Sequence, residues 1–188
     1  MPIIAKDDGK TFELPQAGTC QAVCCAVFDL GNQQTQWKVQ HKIIVMWELD
    51  QRMKQEGEYK DKRFMISKRY TLSLNEKSTL RKDIESWRGK TLTEQEIKKG
   101  FDLEKLIDVN CLLAIKIDES EGKQYANITS ISPIMASMQK MQPEVKYEEV
   151  PEWIQKIRAK SVDPIHEDVP FEPDITPEEM TDDPFFKE

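Results

Sequence analysis

The sequence has no long apolar run, few glycines and only two histidines, and each shortage argues against a class of function. No apolar stretch approaches the roughly 20 residues that a membrane-spanning helix needs. The N-terminus lacks a basic region followed by an apolar stretch, so we expect no secretory signal. The seven glycines are scattered and form no phosphate-binding loop. We therefore expect a soluble protein of the cytoplasm that lacks such a loop.

Metal-binding and catalytic sets of residues are also missing. The cysteines form no CxxC pair, and neither histidine lies at a ligand spacing from them. Glu58-Tyr59-Lys60 resembles half of a nuclease motif, and Glu48 with Asp50 has the carboxylates that hold a divalent metal, so a metal-dependent nuclease is the alternative. The nuclease-like run lies in a charged loop, so we predict no enzyme activity, no metal and no cofactor. The thiols are predicted to be buried apolar residues: Cys20, Cys24, Cys25 and Cys111.

Charge is unevenly distributed along the chain. The net charge is −7, but residues 161–188 alone hold ten acids and one base, a net of −9. The preceding residues therefore carry +2. A mildly basic body followed by a strongly acidic tail is typical of proteins that bind nucleic acids or protein partners.

Hydrophobic periodicity predicts five strands and a helical insert. Alternation in the second strand indicates a sheet with one buried and one solvated face. Three strands, a helix and a closing hairpin are the elements of a five-stranded Greek-key barrel of the OB type. An SH3-like barrel and an open α+β sheet are the alternatives. The predicted strands are 17–30, 36–49, 64–74, 109–117 and 125–131. A first helix is predicted from residue 75 to Gly89, and a capping box at Thr93 and Glu96 predicts the start of a second helix. One more helical turn is expected within 101–107.

These elements divide the chain into four predicted segments. Prolines set among acids forbid regular structure near the C-terminus. The segments are a loose lead-in (1–16), an OB-fold domain that binds single-stranded DNA (17–142), a linker with room for one docked turn (143–160) and a disordered acidic tail that binds partners (161–188).

The second and third strands carry the residue types that bind single-stranded DNA. Such proteins combine a basic groove, which contacts phosphates, with aromatic rings on which bases stack. For each aromatic residue a core position is the alternative, and the apolar parity of Trp37 and Trp47 favours it. The candidate binding residues are Trp37, Lys38, Lys42 and Trp47 on the second strand, Phe64, Lys68, Arg69 and Tyr70 on the third, and Arg81 and Arg88 on the helix.

The tail contains two copies of an acid–proline–phenylalanine pattern. Such a segment can insert a phenylalanine into an apolar pocket of a partner while its acids contact basic residues around that pocket. It can also occupy the basic groove of its own body, and a merely solubilising tail is the alternative. The candidate partner-binding residues are Asp168, Pro170, Phe171, Asp182, Asp183, Pro184, Phe185 and Phe186.

Several runs of the body carry a family resemblance. They are Val45-Met46-Trp47-Glu48-Leu49, residues 70–78, residues 80–90 and Tyr125-Ala126-Asn127-Ile128. They resemble single-stranded DNA-binding proteins of tailed bacteriophages. The resemblance implies an OB barrel with an acidic tail. It also implies sequence-independent coating of single-stranded DNA in phage replication or recombination, within the bacterial host cell.

The tail has a resemblance of its own. It is similar to the acidic tip of bacterial single-strand binding proteins, which end in phenylalanine, although here Lys187 and Glu188 follow Phe186. The implied partners are replication or recombination proteins. The alternative function is an interaction adaptor for a recombination enzyme, without strong affinity for DNA.

Overall fold

The protein is mainly β, as predicted. The computed structural model describes residues 13–36 and 38–162. Five strands form one antiparallel sheet in the order β3-β2-β1-β4-β5. The strands are β1 (Gly18–Gln34), β2 (Val39–Arg52), β3 (Arg63–Thr71), β4 (Asn110–Ser120) and β5 (Lys123–Ser132); the helices are α1 (Thr79–Arg88), α2 (Glu94–Lys99) and α3 (Glu152–Arg158), with a 3₁₀ turn at Leu103–Leu106.

β1 is the central strand and pairs with two neighbours. Its first six residues pair with β4, and most of its length pairs with β2. A register shift between Asp29 and Gly31 interrupts the second pairing, and Gly31 has a φ of 72°, which glycine adopts at little cost. The turn predicted at Gly31 is therefore an irregularity inside a longer strand, and β1 continues to Gln34.

One face of the sheet forms the main core. Apolar side chains from all five strands meet there, and α1 contributes Leu80, Ile84 and Trp87. This is the predicted apolar stripe of the helix. α1 ends at Gly89, which adopts the left-handed conformation of a C-terminal cap. The predicted capping box of α2 is also present, with Thr93 and Glu96 bonded reciprocally.

The opposite face of β1 and β2 is covered by a C-terminal segment, residues 139–162, here termed the strap. Ile154 of α3 is fully buried in one cluster with Leu30, Ile44 and Met46. The predicted solvated face is therefore limited to the first part of β2, because the later even-numbered side chains of the strand lie beneath the strap. The segment predicted as a linker (143–160) forms most of this cover.

A buried carboxylate holds the strap by its backbone. The Glu48 side chain is 0% exposed and accepts hydrogen bonds from the backbone N–H groups of Glu144 (2.9 Å) and Val145 (2.7 Å). Arg63 of β3 lies 3.3 Å from the same carboxylate and donates to the carbonyl of Gln142 at 2.7 Å. Because a buried charge is tolerated only when it is paired and hydrogen-bonded, the strap and this acid depend on each other.

A second anchor lies at the start of β4. Asn110 exchanges two hydrogen bonds with the backbone of Met141, at 2.9 and 2.7 Å. Gln21 of β1 bonds both Asn110 (3.0 Å) and the carbonyl of Gln139 (2.7 Å). The indole N–H of Trp87 donates to the Asn110 carbonyl at 3.1 Å, which links this anchor to the main core. The strap is thus fixed to four strands, β1 to β4.

The sheet is open, and α1 lies across its two edge strands. Asp83 of α1 bonds Tyr70 on β3 at 2.8 Å. Ser86, one turn later, donates to the carbonyl of Ile131 on β5 at 2.5 Å. β3 and β5 are at opposite ends of the strand order and are not paired with each other. The predicted closure into a barrel is therefore not observed, although the five strands and the helical insert are.

Candidate nucleic-acid interface

Three of the four aromatic residues predicted to stack on bases lie in the core. Trp47 is 0%, Tyr70 4% and Phe64 6% exposed. Trp47 also packs on Trp87, with 5.7 Å between the ring centroids. A base cannot stack on a ring that has no accessible face, so in this conformation these three rings are core residues. Trp37 lies outside the described residues.

Lys68 joins β3 to α1 and does not project from the outer face. Its ammonium group lies 2.7 Å from the Asp83 carboxylate, and the same oxygen accepts the Tyr70 hydroxyl. Burial, together with the negative charge of Asp83, raises the pKa of Tyr70 well above its ordinary value. In the β2–β3 register Lys68 is opposite Val45, on the side of the main core. In this conformation the Lys68 ammonium is therefore paired inside the protein and is not a free phosphate ligand.

The two arginines of α1 are engaged inside the protein as well. Arg81 bonds Glu85 at 3.0 Å, and Arg88 bonds Glu96 of α2 at 2.7 Å. The pKa of Glu96 is lowered to about 2. The hydrogen bond from the Thr93 backbone N–H is the largest cause, and the hydrogen bond from the Arg88 guanidinium is the next. Arg88 therefore connects α1 with α2, and neither arginine is a free phosphate ligand in this conformation.

Three of the predicted cations remain accessible at the β1–β2 hairpin. Lys42 is opposite Thr71, and Arg69 is opposite Ile44, so both side chains lie on the outer face of the sheet. Lys42 Nζ donates to two neutral oxygens, Gln40 Oε1 at 2.6 Å and Thr71 Oγ1 at 2.7 Å. Lys38 and Arg69 are exposed. Within residues 13–36 and 38–162, none of Lys38, Lys42 and Arg69 forms an ion pair; these three residues are termed the hairpin surface.

The loop between β2 and β3, residues 53–62, holds three lysines and three acids, and its aromatic residue was missed from sequence. Tyr59 is 58% exposed, and Lys62 Nζ lies 5.0 Å from the centroid of its ring. A lone aromatic residue inside a run of charged residues was the available signal, because such a ring has no apolar neighbour in sequence to pack on. The exposed basic residues of this loop are Lys54, Lys60 and Lys62, and Lys60 pairs with Glu56.

The strap ends beside the hairpin surface. The Val162 backbone N–H donates to the carbonyl of Asn32 at 2.9 Å, and the Asn32 N–H donates to Ser161 Oγ at 2.9 Å. Asn32 is paired with His41, the residue before Lys42. The acidic tail therefore begins next to these cations. Its predicted partner-binding residues lie outside the described residues.

The cysteines are buried and free, as predicted. Burial raises the pKa of Cys20 to about 11 and that of Cys25 to about 12, and it raises the pKa of Cys24 and Cys111 further. In the part of the chain that is described, no group of three or more His, Cys, Asp or Glu side chains is placed to hold a metal ion. No described helix is long and apolar enough to cross a membrane.

Comparison with known proteins adds no identification. No protein-family model matches the chain, and no curated protein is significantly similar to it. The resemblance to phage single-stranded DNA-binding proteins therefore stays a prediction.

Proposed function

We propose that the protein binds single-stranded DNA without sequence preference, coating and protecting it during phage replication or recombination in the bacterial host. The hairpin surface is the observation that carries this proposal. Its three cations lack carboxylate partners among the described residues, so they are free to neutralise phosphates. Phosphates are the same for every base, and contacts to them therefore do not select a sequence.

The strand order supports an interpretation as an OB-type fold. Closing such a barrel would join the first and last strands of the observed order, β3 and β5. Here α1 contacts both strands across that gap. We interpret the architecture as an OB-type barrel opened between β3 and β5, with the helical insert filling the opening. OB barrels are partly open and use the strand 2–3 face for binding, and the hairpin surface lies on that face.

The strap determines which part of this face is accessible to DNA. Ile44, Met46 and Glu48 of β2 are covered by it, whereas Lys42, two residues before Ile44, is not. We therefore propose that DNA contacts the hairpin end of β2 and β3 instead of their middle.

The acidic tail has two proposed roles. Its acids and phenylalanines recruit replication or recombination proteins, and its net charge of −9 competes with DNA for the hairpin surface. Because Val162 is bonded to Asn32, the first acids of the tail are joined to the chain close to Lys42.

Fluorescence anisotropy of labelled oligo-dT tests the proposal. Log affinity is expected to fall with log salt at a slope of about −0.7 for each phosphate neutralised, and duplex DNA of equal length should compete poorly. Lys42→Gln and Arg69→Gln should each reduce the slope by about 0.7. Lys99→Gln, an exposed lysine in the last turn of α2, is the matched control and should change nothing.

A flat salt response would contradict the proposal. If the folded protein does not bind oligo-dT at all, the alternative of an interaction adaptor for a recombination enzyme is favoured, and capture of partners through the acidic tail becomes its test.

A further inference from the structure

A cavity of about 620 Å³ lies between the β2–β3 loop and the strap. Its walls include Met53 and Tyr59 of the loop region, Met65 of β3 and Val145 of the strap, with Lys62 at the same site. The volume is within the range of about 300–1,000 Å³ that is typical of sites for small ligands, and such sites are mostly apolar with a few polar groups. It is termed the loop cavity.

The charges around the loop cavity leave a cation available. Three carboxylates line it, and each is bound by the protein itself. Glu13 accepts two backbone N–H groups of the loop, Glu48 holds the strap, and Glu144 pairs with Arg52. The Lys62 ammonium, by contrast, forms no ion pair within residues 13–36 and 38–162 and contacts the ring of Tyr59. An exposed aromatic ring and an unpaired cation therefore occur together at one apolar site.

We propose that the loop cavity takes an unpaired nucleobase of the bound strand, which stacks on Tyr59 while Lys62 contacts the adjoining phosphate. The inference rests on the proposed function and adds a means of distinguishing single-stranded from duplex DNA, which the hairpin surface lacks. Duplex DNA carries phosphates too, so cations alone do not distinguish one strand from two. A base can enter the cavity only when it is unpaired, and a base–aromatic stack tolerates any sequence. The loop cavity thus supplies selectivity for single strands.

The acids around the loop cavity argue against the protein's own tail as its occupant. An acidic peptide would bring further negative charge close to Glu13 and Glu144, and like charges brought together at an interface are unfavourable. A nucleobase is uncharged, and its phosphate can lie beside Lys62 at the mouth. Binding of an apolar peptide from another protein is the alternative that the experiment must distinguish from binding of a nucleobase.

The test compares full-length variants for oligo-dT binding by anisotropy. Tyr59→Ala should weaken binding by roughly 5- to 150-fold, the usual effect of losing one base–aromatic stack, while Tyr59→Phe should bind as the unchanged protein does. Tyr125→Ala is the matched control, because Tyr125 is also an exposed tyrosine and lies on β5, away from the cavity. Tyr59→Ala should also lose preference for oligo-dT over duplex, and Lys62→Gln should reduce the salt slope by about 0.7.

Photocrosslinking with 5-iodouracil in the oligonucleotide gives an independent readout, and mass spectrometry should locate the crosslink at Tyr59. If the unchanged protein fails to bind oligo-dT, the proposed function is refuted. If it binds but Tyr59→Ala binds equally well and no crosslink forms in the β2–β3 loop, the nucleobase site alone is refuted, and a protein ligand becomes the better occupant. Free thymidine monophosphate that binds as tightly as the oligonucleotide would also overturn the proposal, since the cavity would then be a nucleotide site.

Discussion

Replacing Glu48 by glutamine tests whether one buried carboxylate holds the strap on the sheet. Its two oxygens accept three donors: the N–H groups of Glu144 and Val145 and the guanidinium of Arg63. Glutamine has nearly the same shape, but its amide nitrogen is a donor and cannot accept a hydrogen bond. The substitution therefore leaves at least one donor unpaired and removes the charge that faces Arg63.

The expected loss follows from these contacts. An unpaired buried donor costs about 1–3 kcal/mol, and removing one partner of a buried ion pair costs about 3–5 kcal/mol. Arg63 is not fully buried and also bonds Glu144 at 3.2 Å, which compensates part of the loss. We expect Glu48→Gln to reduce the free energy of unfolding by about 2–4 kcal/mol, and the Tm by roughly 4–16 °C for a chain of this size.

Thermal unfolding by circular dichroism measures the loss, and hydrogen exchange locates it. The amides of Glu144 and Val145 should exchange much faster in Glu48→Gln, while those of β1 at Ala22 change less. Glu144→Gln is the control: its side chain is 43% exposed and its ion pairs contribute at most about 1 kcal/mol. If Glu48→Gln is no less stable than Glu144→Gln, the strap does not depend on this carboxylate and the reasoning fails.

Three further predictions concern the core, the thiols and the tail. Trp47→Ala should lower the free energy of unfolding in urea by about 3–5 kcal/mol; unchanged stability with weaker DNA binding would instead indicate a stacking residue. At pH 8 the folded protein should react very slowly with a thiol reagent, because only about one in a thousand Cys20 side chains, and fewer of Cys25, is the reactive thiolate there. Rapid labelling without urea would contradict this burial. Deleting residues 163–188, which keeps Ser161 and Val162 in place, should tighten oligo-dT binding at low salt; unchanged or weaker binding would rule out competition by the tail.

The elements of the fold could be predicted from sequence because their signals are local. The stripe of Leu80, Ile84 and Trp87 needs only the helical period, and the capping box at Thr93 needs only four consecutive residues. The five strands follow from alternation and turn residues in the same way. The predicted ends of the elements were less accurate. Glycine is favoured both in a turn and in a β-bulge, so the sequence does not distinguish the predicted turn at Gly31 from the irregularity that is found there.

The strap could not be predicted, because it depends on contacts between distant parts of the chain. Glu48 is bonded to a segment roughly 100 positions later, and no local period encodes such a pairing. The apolar residues Ile44 and Met46 at even positions of β2 were the one hint, since a solvated face would not place them there.

The candidate site was predicted only in part, for the same reason. Lys42 and Arg69 lie on the outer face, as strand parity indicates. Lys68 and Arg88 are also basic residues on elements that were predicted to contact DNA. Each forms an ion pair inside the protein with an acid from another element, Asp83 for Lys68 and Glu96 for Arg88. Charge in the sequence shows how many cations exist, and only tertiary contacts show which of them are already neutralised.

The double pairing of β1 has a consequence for how the chain folds. β1, β2 and β3 form a meander whose strands are close in sequence, and β4 and β5 form a hairpin of their own. Within the sheet, the two units pair only where Gly18–Val23 meets β4, between residues that are roughly 90 positions apart, so closing that loop has a large entropic cost. We expect this seam to form last and to set the rate of folding. We also expect the native sheet to separate there first, while the meander beneath the strap stays intact.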